Sequence, residues 1–92
     1  MNKILLQNIK SEKEFKKSIV YLAMKSLVEN GVTVYTTIRE LREYITGFTG
    51  GIIDLDTATL KRYLSELEKE NIIITLFKSN SKKDKSIYKI LN

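Results

Sequence analysis

The side chains best equipped for chemistry in this 92-residue chain are cations, and they gather in two places. Lys61 and Arg62 sit side by side in the run Thr57-Ala58-Thr59-Leu60-Lys61-Arg62-Tyr63-Leu64-Ser65, where leucines recur at helical spacing. The second group, Lys78, Lys82, Lys83, Lys85 and Lys89, falls within residues 72–92 against only Asp84. Overall, 16 Lys and Arg oppose 11 Asp and Glu for a formal charge of +5, a balance that favours an anionic partner such as nucleic acid. Residues 48–71 run the other way, because Asp54, Asp56, Glu66, Glu68 and Glu70 outnumber Lys61, Arg62 and Lys69.

Other chemistries are poorly supplied. Without Cys or His there is no disulfide framework, zinc ribbon, cysteine or histidine nucleophile, or imidazole base. Asp54 and Asp56 are two residues apart, but Asp56 suits a helix cap and no third acidic ligand accompanies them. Gly47-x-x-Gly50-Gly51 lacks the Lys and Ser/Thr of a phosphate-binding loop. No catalytic residue, metal or cofactor is expected, and the chain does not read as an enzyme. Apolar runs such as Ile72-Ile73-Ile74 fall far short of the ~20 residues of a membrane span. Met1 to Ile9 is too short for a signal-peptide core, so a cytoplasmic location is expected. The tyrosines are scattered, which points to core or rim packing rather than a base-stacking platform.

The elements that must position the cations are marked by caps and periodicity. Ser11-Glu12-Lys13-Glu14 is a capping box, and Phe15, Ile19, Leu22, Ala23 and Leu27 follow at helical spacing, predicting a helix over 12–29 with Asn30-Gly31 as its stop. Ile19, Leu22 and Ala23 are expected inward; Val20, Tyr21, Met24 and Val28 point elsewhere. Val32 to Tyr35 reads as a short strand. Thr37-Ile38-Arg39-Glu40 opens a second helix that Gly47 ends, and a loop runs from Thr46 to Leu55. Asp56 caps a third helix over 57–70, with Leu55 and Leu60 as a hydrophobic staple and Tyr63 at the edge of the buried stripe. Ile72–Lys78 and Ser86–Leu91 read as strands joined by polar Ser79–Lys85. The chain has room for one domain, 11–92, preceded by an arm over 1–10.

Two segments carry a family resemblance. Thr59-Leu60-Lys61-Arg62-Tyr63-Leu64-Ser65-Glu66-Leu67-Glu68-Lys69-Glu70-Asn71-Ile72-Ile73 resembles a winged helix-turn-helix recognition helix, with leucines at set intervals and Asn before two aliphatics. Ser81-Lys82-Lys83-Asp84-Lys85-Ser86-Ile87-Tyr88-Lys89-Ile90 is similar to that family's basic wing. The resemblance covers residues 11–91. It implies an α+β fold: a three-helix bundle with a short first strand and a C-terminal β-hairpin wing. One departure is the turn before the third helix, ten residues from Thr46 to Leu55 where the family uses about three or four.

The resemblance further implies double-stranded DNA as partner, read by the third helix in the major groove. Arg62 suits a bidentate contact to guanine, Lys61 a base or phosphate, Thr57 and Ser65 hydrogen bonds, and Ala58 a thymine methyl. Lys78, Asn80, Lys82, Lys83 and Lys85 of the wing would follow the backbone or minor groove, while the Thr36 and Thr37 hydroxyls and free amides would hold a phosphate. Ile19 to Met24 carries no charge on any helical face, so either the arm folds over this helix or, as is expected, Leu5, Leu6 and Ile9 of the arm join Val20 and Met24 in a homodimer interface. A transcriptional repressor acting by occupancy is the simplest role. Alternatives are a plasmid or phage partition protein, an origin-binding protein, or a protein-interaction module using the acidic end of the third helix.

Overall fold

The computed structural model describes residues 12–28, 33–79 and 84–91. The expectations for Leu5, Leu6, Ile9, the Asn30-Gly31 stop, Asn80, Lys82 and Lys83 lie outside the described residues. The elements are α1 (Glu12–Leu27), β1 (Thr33–Thr36), α2 (Ile38–Phe48), α3 (Thr57–Lys69), β2 (Ile73–Phe77) and β3 (Ser86–Ile90). They form an α+β fold in which one antiparallel sheet, ordered β1-β3-β2, packs against the helices. Val34 and Thr75 both lie opposite Tyr88, and Ile73 opposite Ile90, so these rows share the inner face. Val34, Ile73, Tyr88 and Ile90 join Val20, Ala23 and Met24 of α1, Leu41 and Ile45 of α2, and Leu60, Tyr63, Leu64 and Leu67 of α3 in one core. Tyr63 is therefore a core residue rather than an edge. No described helix is long and apolar enough to cross a membrane.

Both helices of the central pair start and stop by visible chemistry. At the front of α2, the Thr37 hydroxyl accepts from the Glu40 amide at 2.9 Å, and the Thr37 amide donates back to Glu40 Oε1 at 3.0 Å. Asp56 Oδ1 accepts from the Thr59 amide at 2.7 Å, capping α3. Leu55 and Leu60, placed as its staple, are both buried. Gly47 does not end α2. The helix runs through it to Phe48, and the turn comes at Gly50, with φ +65°. There the Gly51 amide reaches Thr46 O at 2.8 Å and the Gly50 amide reaches Gly47 O at 3.1 Å, a Schellman closure. Asn71 (φ 60°) ends α3 in the same way, with amide bonds Ile72 to Leu67 O and Asn71 to Glu68 O, both 3.0 Å.

The long turn between α2 and α3 contains neither helix nor strand over 49–56. Two side chains tie it down. The Thr49 hydroxyl donates to Thr46 O at 3.1 Å and accepts from the Ile53 amide at 3.0 Å. Arg42 reaches from α2 to donate to Leu55 O at 2.6 Å and lies 3.6 Å from Asp54. Ile53 and Leu55 are buried, whereas Ile52 faces solvent. The extra residues thus seat α3 instead of loosening it.

On α1 the inward face differs from the expectation. Val20 and Met24 are fully buried with Ala23, while Leu22 is 47% exposed. Apolar residues occupy every face from Ile19 to Met24, so spacing alone cannot select the inner one. Val20 and Met24 are consumed by the core and are not available to the dimer interface expected of them. Truncating Met24 to Ala should cost about 2–5 kcal/mol in chemical denaturation, while Leu22→Ala should cost less than about 1 kcal/mol. Equal losses would contradict this orientation of α1.

Candidate nucleic-acid interface

The outward face of α3 is set by helical geometry. Ala58, Lys61, Arg62, Ser65 and Lys69 recur at three- and four-residue spacing, so they share one side, and all five are exposed. Thr57, at the first turn, is half-buried beside them. Among the described residues no carboxylate forms an ion pair with Lys61, Arg62 or Lys69. The Arg62 guanidinium lies 5.9 Å from the Tyr63 ring centroid. Lys69 extends the cationic stripe to the last turn, a residue that sequence reasoning passed over although its spacing from Arg62 and Ser65 marks the same face.

The glutamates of α3 sit on the flanks of this stripe and are occupied. Glu66 takes Lys13 at 2.9 Å and Lys17 at 3.4 Å, and Glu70 takes Lys17 at 2.8 Å. Glu68 accepts from the Thr75 hydroxyl at 3.1 Å. Lys17 is the pivot: its side chain is only 7% exposed, and Glu14 also approaches within 3.4 Å. A buried ammonium is costly unless paired, and here carboxylates from two helices surround it. Its hydrogen bond to Glu70 outweighs burial and holds the ammonium above its ordinary value of 10.5, with Glu66 and Glu14 adding to the effect. Nothing in the sequence reading singled out Lys17. Its spacing from Val20 and Met24 on one face is the signal that was there to find.

Lys61, Leu64, Ser65 and Glu68 of α3 also line a small surface depression with Thr75, Tyr88 and Lys78, the residue that follows β2. The structure thus joins the α3 front to the base of the β2–β3 hairpin. Lys78 is exposed. Lys85 is not part of this depression. Its ammonium lies 5.0 Å from the Tyr35 ring centroid and 3.9 Å from Glu40.

Thr36 and Thr37 do not form the expected phosphate site. Both are buried. The Thr36 hydroxyl donates to Thr37 O at 3.0 Å, and the Thr37 hydroxyl and amide are consumed by the capping box. The Glu40 carboxylate already occupies the place an anion would take.

Among the described residues three carboxyls lie below their ordinary values: Asp56 from 3.8 through the Thr59 amide, Glu40 from 4.5 through the Thr37 amide, and Glu66 from 4.5 through the hydrogen bond from Lys13. A depressed carboxyl stabilises the fold above its unfolded pKa and loses that contribution as pH falls through its folded value. The melting temperature should therefore hold steady from neutrality to about pH 5 and drop below about pH 4. Asp56→Asn combined with Glu40→Gln, which keep acceptors but cannot titrate, should flatten that acid limb. An unchanged limb would remove these caps from the account.

Comparison of the chain with protein-family models, with curated proteins and with solved structures finds no match.

Proposed function

We propose that the chain is a winged helix-turn-helix protein that binds double-stranded DNA, acting most simply as a transcriptional repressor by occupying its site. The fold reading is supported by the element order, by the β1-β3-β2 sheet and by the position of β2 and β3 directly after α3. In it, α3 lies in the major groove and the β2–β3 hairpin runs along the phosphate backbone or over the minor groove.

The observation that carries the functional reading is the α3 stripe: Lys61, Arg62 and Lys69 exposed together, without ion pairs among the described residues, with Glu66 and Glu70 paired to α1 and Glu68 bonded to Thr75. A polyanion approaching this face meets three cations, with Glu68 at its flank held by the Thr75 hydroxyl. Arg62 presents the fork that matches guanine O6 and N7, Ser65 offers a hydroxyl, and Ala58 leaves the backbone close to the bases. Lys78 beside Lys61 supplies a phosphate contact that is indifferent to sequence. The pairing of Glu66 and Glu70 with Lys17 of α1 weighs against the protein-interaction alternative, leaving exposed Glu68 as the acid of that end without an ion pair among the described residues.

Fluorescence anisotropy with a duplex selected from random sequence tests this. Lys61→Ala with Arg62→Ala should weaken binding to the selected site by about 1–3 kcal/mol per lost base contact, with the circular dichroism spectrum unchanged. Lys78→Ala should weaken all duplexes alike and reduce the slope of log affinity against log salt by about one. Undiminished binding by the double variant, or no duplex binding even at low salt, would refute the proposal.

A further inference from the structure

The tyrosines that looked scattered in the sequence are not all in the core. On the side of the sheet turned away from the helices, Tyr35 and Phe77 both lie opposite Ile87, so the three side chains form one row across β1, β3 and β2. Tyr35 is 63% exposed and Phe77 56% exposed. A bulge between Thr75 and Phe77 turns Phe77 onto this face. In the next row Lys89 lies between Thr33 and Ile74, exposed and without an ion pair among the described residues. Lys85 stands over the Tyr35 ring at 5.0 Å.

We propose that this outer sheet face binds single-stranded nucleic acid, stacking unpaired bases on Tyr35 and Phe77 while Lys85 and Lys89 take the phosphates. The two rings are held by separate strands at two strand spacings, about 10 Å apart, with Ile87 between them as an apolar floor for splayed bases. Lys85 is lightly held: its contact with Glu40 is long, at 3.9 Å, and both groups are substantially exposed. A base arriving on Tyr35 transfers that ammonium from the ring to its own phosphate. Charge decides between occupants. Ile74 and Leu76 of β2 are exposed as well, and Lys85 and Lys89 beside this apolar surface favour a polyanion over a neutral partner. The surface is separate from the α3 stripe and stands or falls independently of it.

The test is anisotropy of a labelled oligothymidine of about 12 nucleotides, alongside the α3 duplex assay. Tyr35→Ala and Phe77→Ala should each weaken oligothymidine binding at least about fivefold and leave duplex affinity unchanged. Tyr35→Phe and Phe77→Tyr, which keep a ring, should retain it. The chain contains no Trp, so Phe77→Trp provides a sole indole reporter whose fluorescence should be quenched saturably by oligothymidine. That quenching should persist in Lys61→Ala with Arg62→Ala, which separates this surface from the duplex site. Alanine variants that bind oligothymidine as well as the parent would overturn the proposal. So would self-association by sedimentation that is lost in Phe77→Ala while the indole stays unquenched, which would assign the face to a second copy.

Discussion

The arrangement turns on a lysine that is almost wholly enclosed. Lys17 enters the seam between α1 and α3 and meets Glu14, Glu66 and Glu70, while Lys13 takes the other oxygen of Glu66. Hydrophobic burial supplies most of the attraction between these helices, but it is non-directional. The ion cluster adds direction. Losing Lys17 would remove the cation that Glu66 and Glu70 share with Glu14 of α1. The same cluster sorts the charges of α3. It draws Glu66 and Glu70 toward α1 and leaves Ala58, Lys61, Arg62, Ser65 and Lys69 facing outward. The leucine stripe orients the helix, and the ion cluster adds a polar contact on its flank.

The two ends of α3 are held by different means. Ahead of it, Arg42 and Thr49 convert a long connection into an ordered one by using backbone carbonyls and amides that would otherwise lack partners. Behind it, Asn71 adopts the left-handed conformation and turns the chain directly into β2, so Ile73 enters the core within a few residues. That short connection places Lys78, at the far end of β2, beside Lys61. Helix and hairpin base therefore line one shared depression.

Much of this was legible before any coordinates. The caps at Thr37 and Asp56 are local chemistry between residues three apart, and local chemistry survives folding. The strands are legible as β-branched and aromatic runs, and the leucines of the α3 core stripe as helical spacing, for the same reason. What sequence could not resolve were choices made by tertiary contacts. The inward face of α1 was ambiguous because apolar side chains cover its whole circumference near Val20 and Met24. Gly47 looked like a stop, yet a glycine ends a helix only where a positive φ closes the Schellman bonds, and Gly50 does that. Thr36 and Thr37 were rightly placed at a helix start, but their hydroxyls were already spent there. The row of Tyr35, Ile87 and Phe77 exists only once β1 and β2 pair on either side of β3, across more than forty residues of chain.

The proposed duplex site rests on the exposed cations of α3 together with Lys78, the residue after β2. Amide chemical-shift mapping by NMR during titration with a short duplex at low salt interrogates that assignment residue by residue. Shifts concentrated on Thr57 to Lys69 and on Lys78, with the amides around Lys17 little changed, are the expected result. Shifts that bypass α3 while the duplex is bound, or no perturbation anywhere, would contradict it.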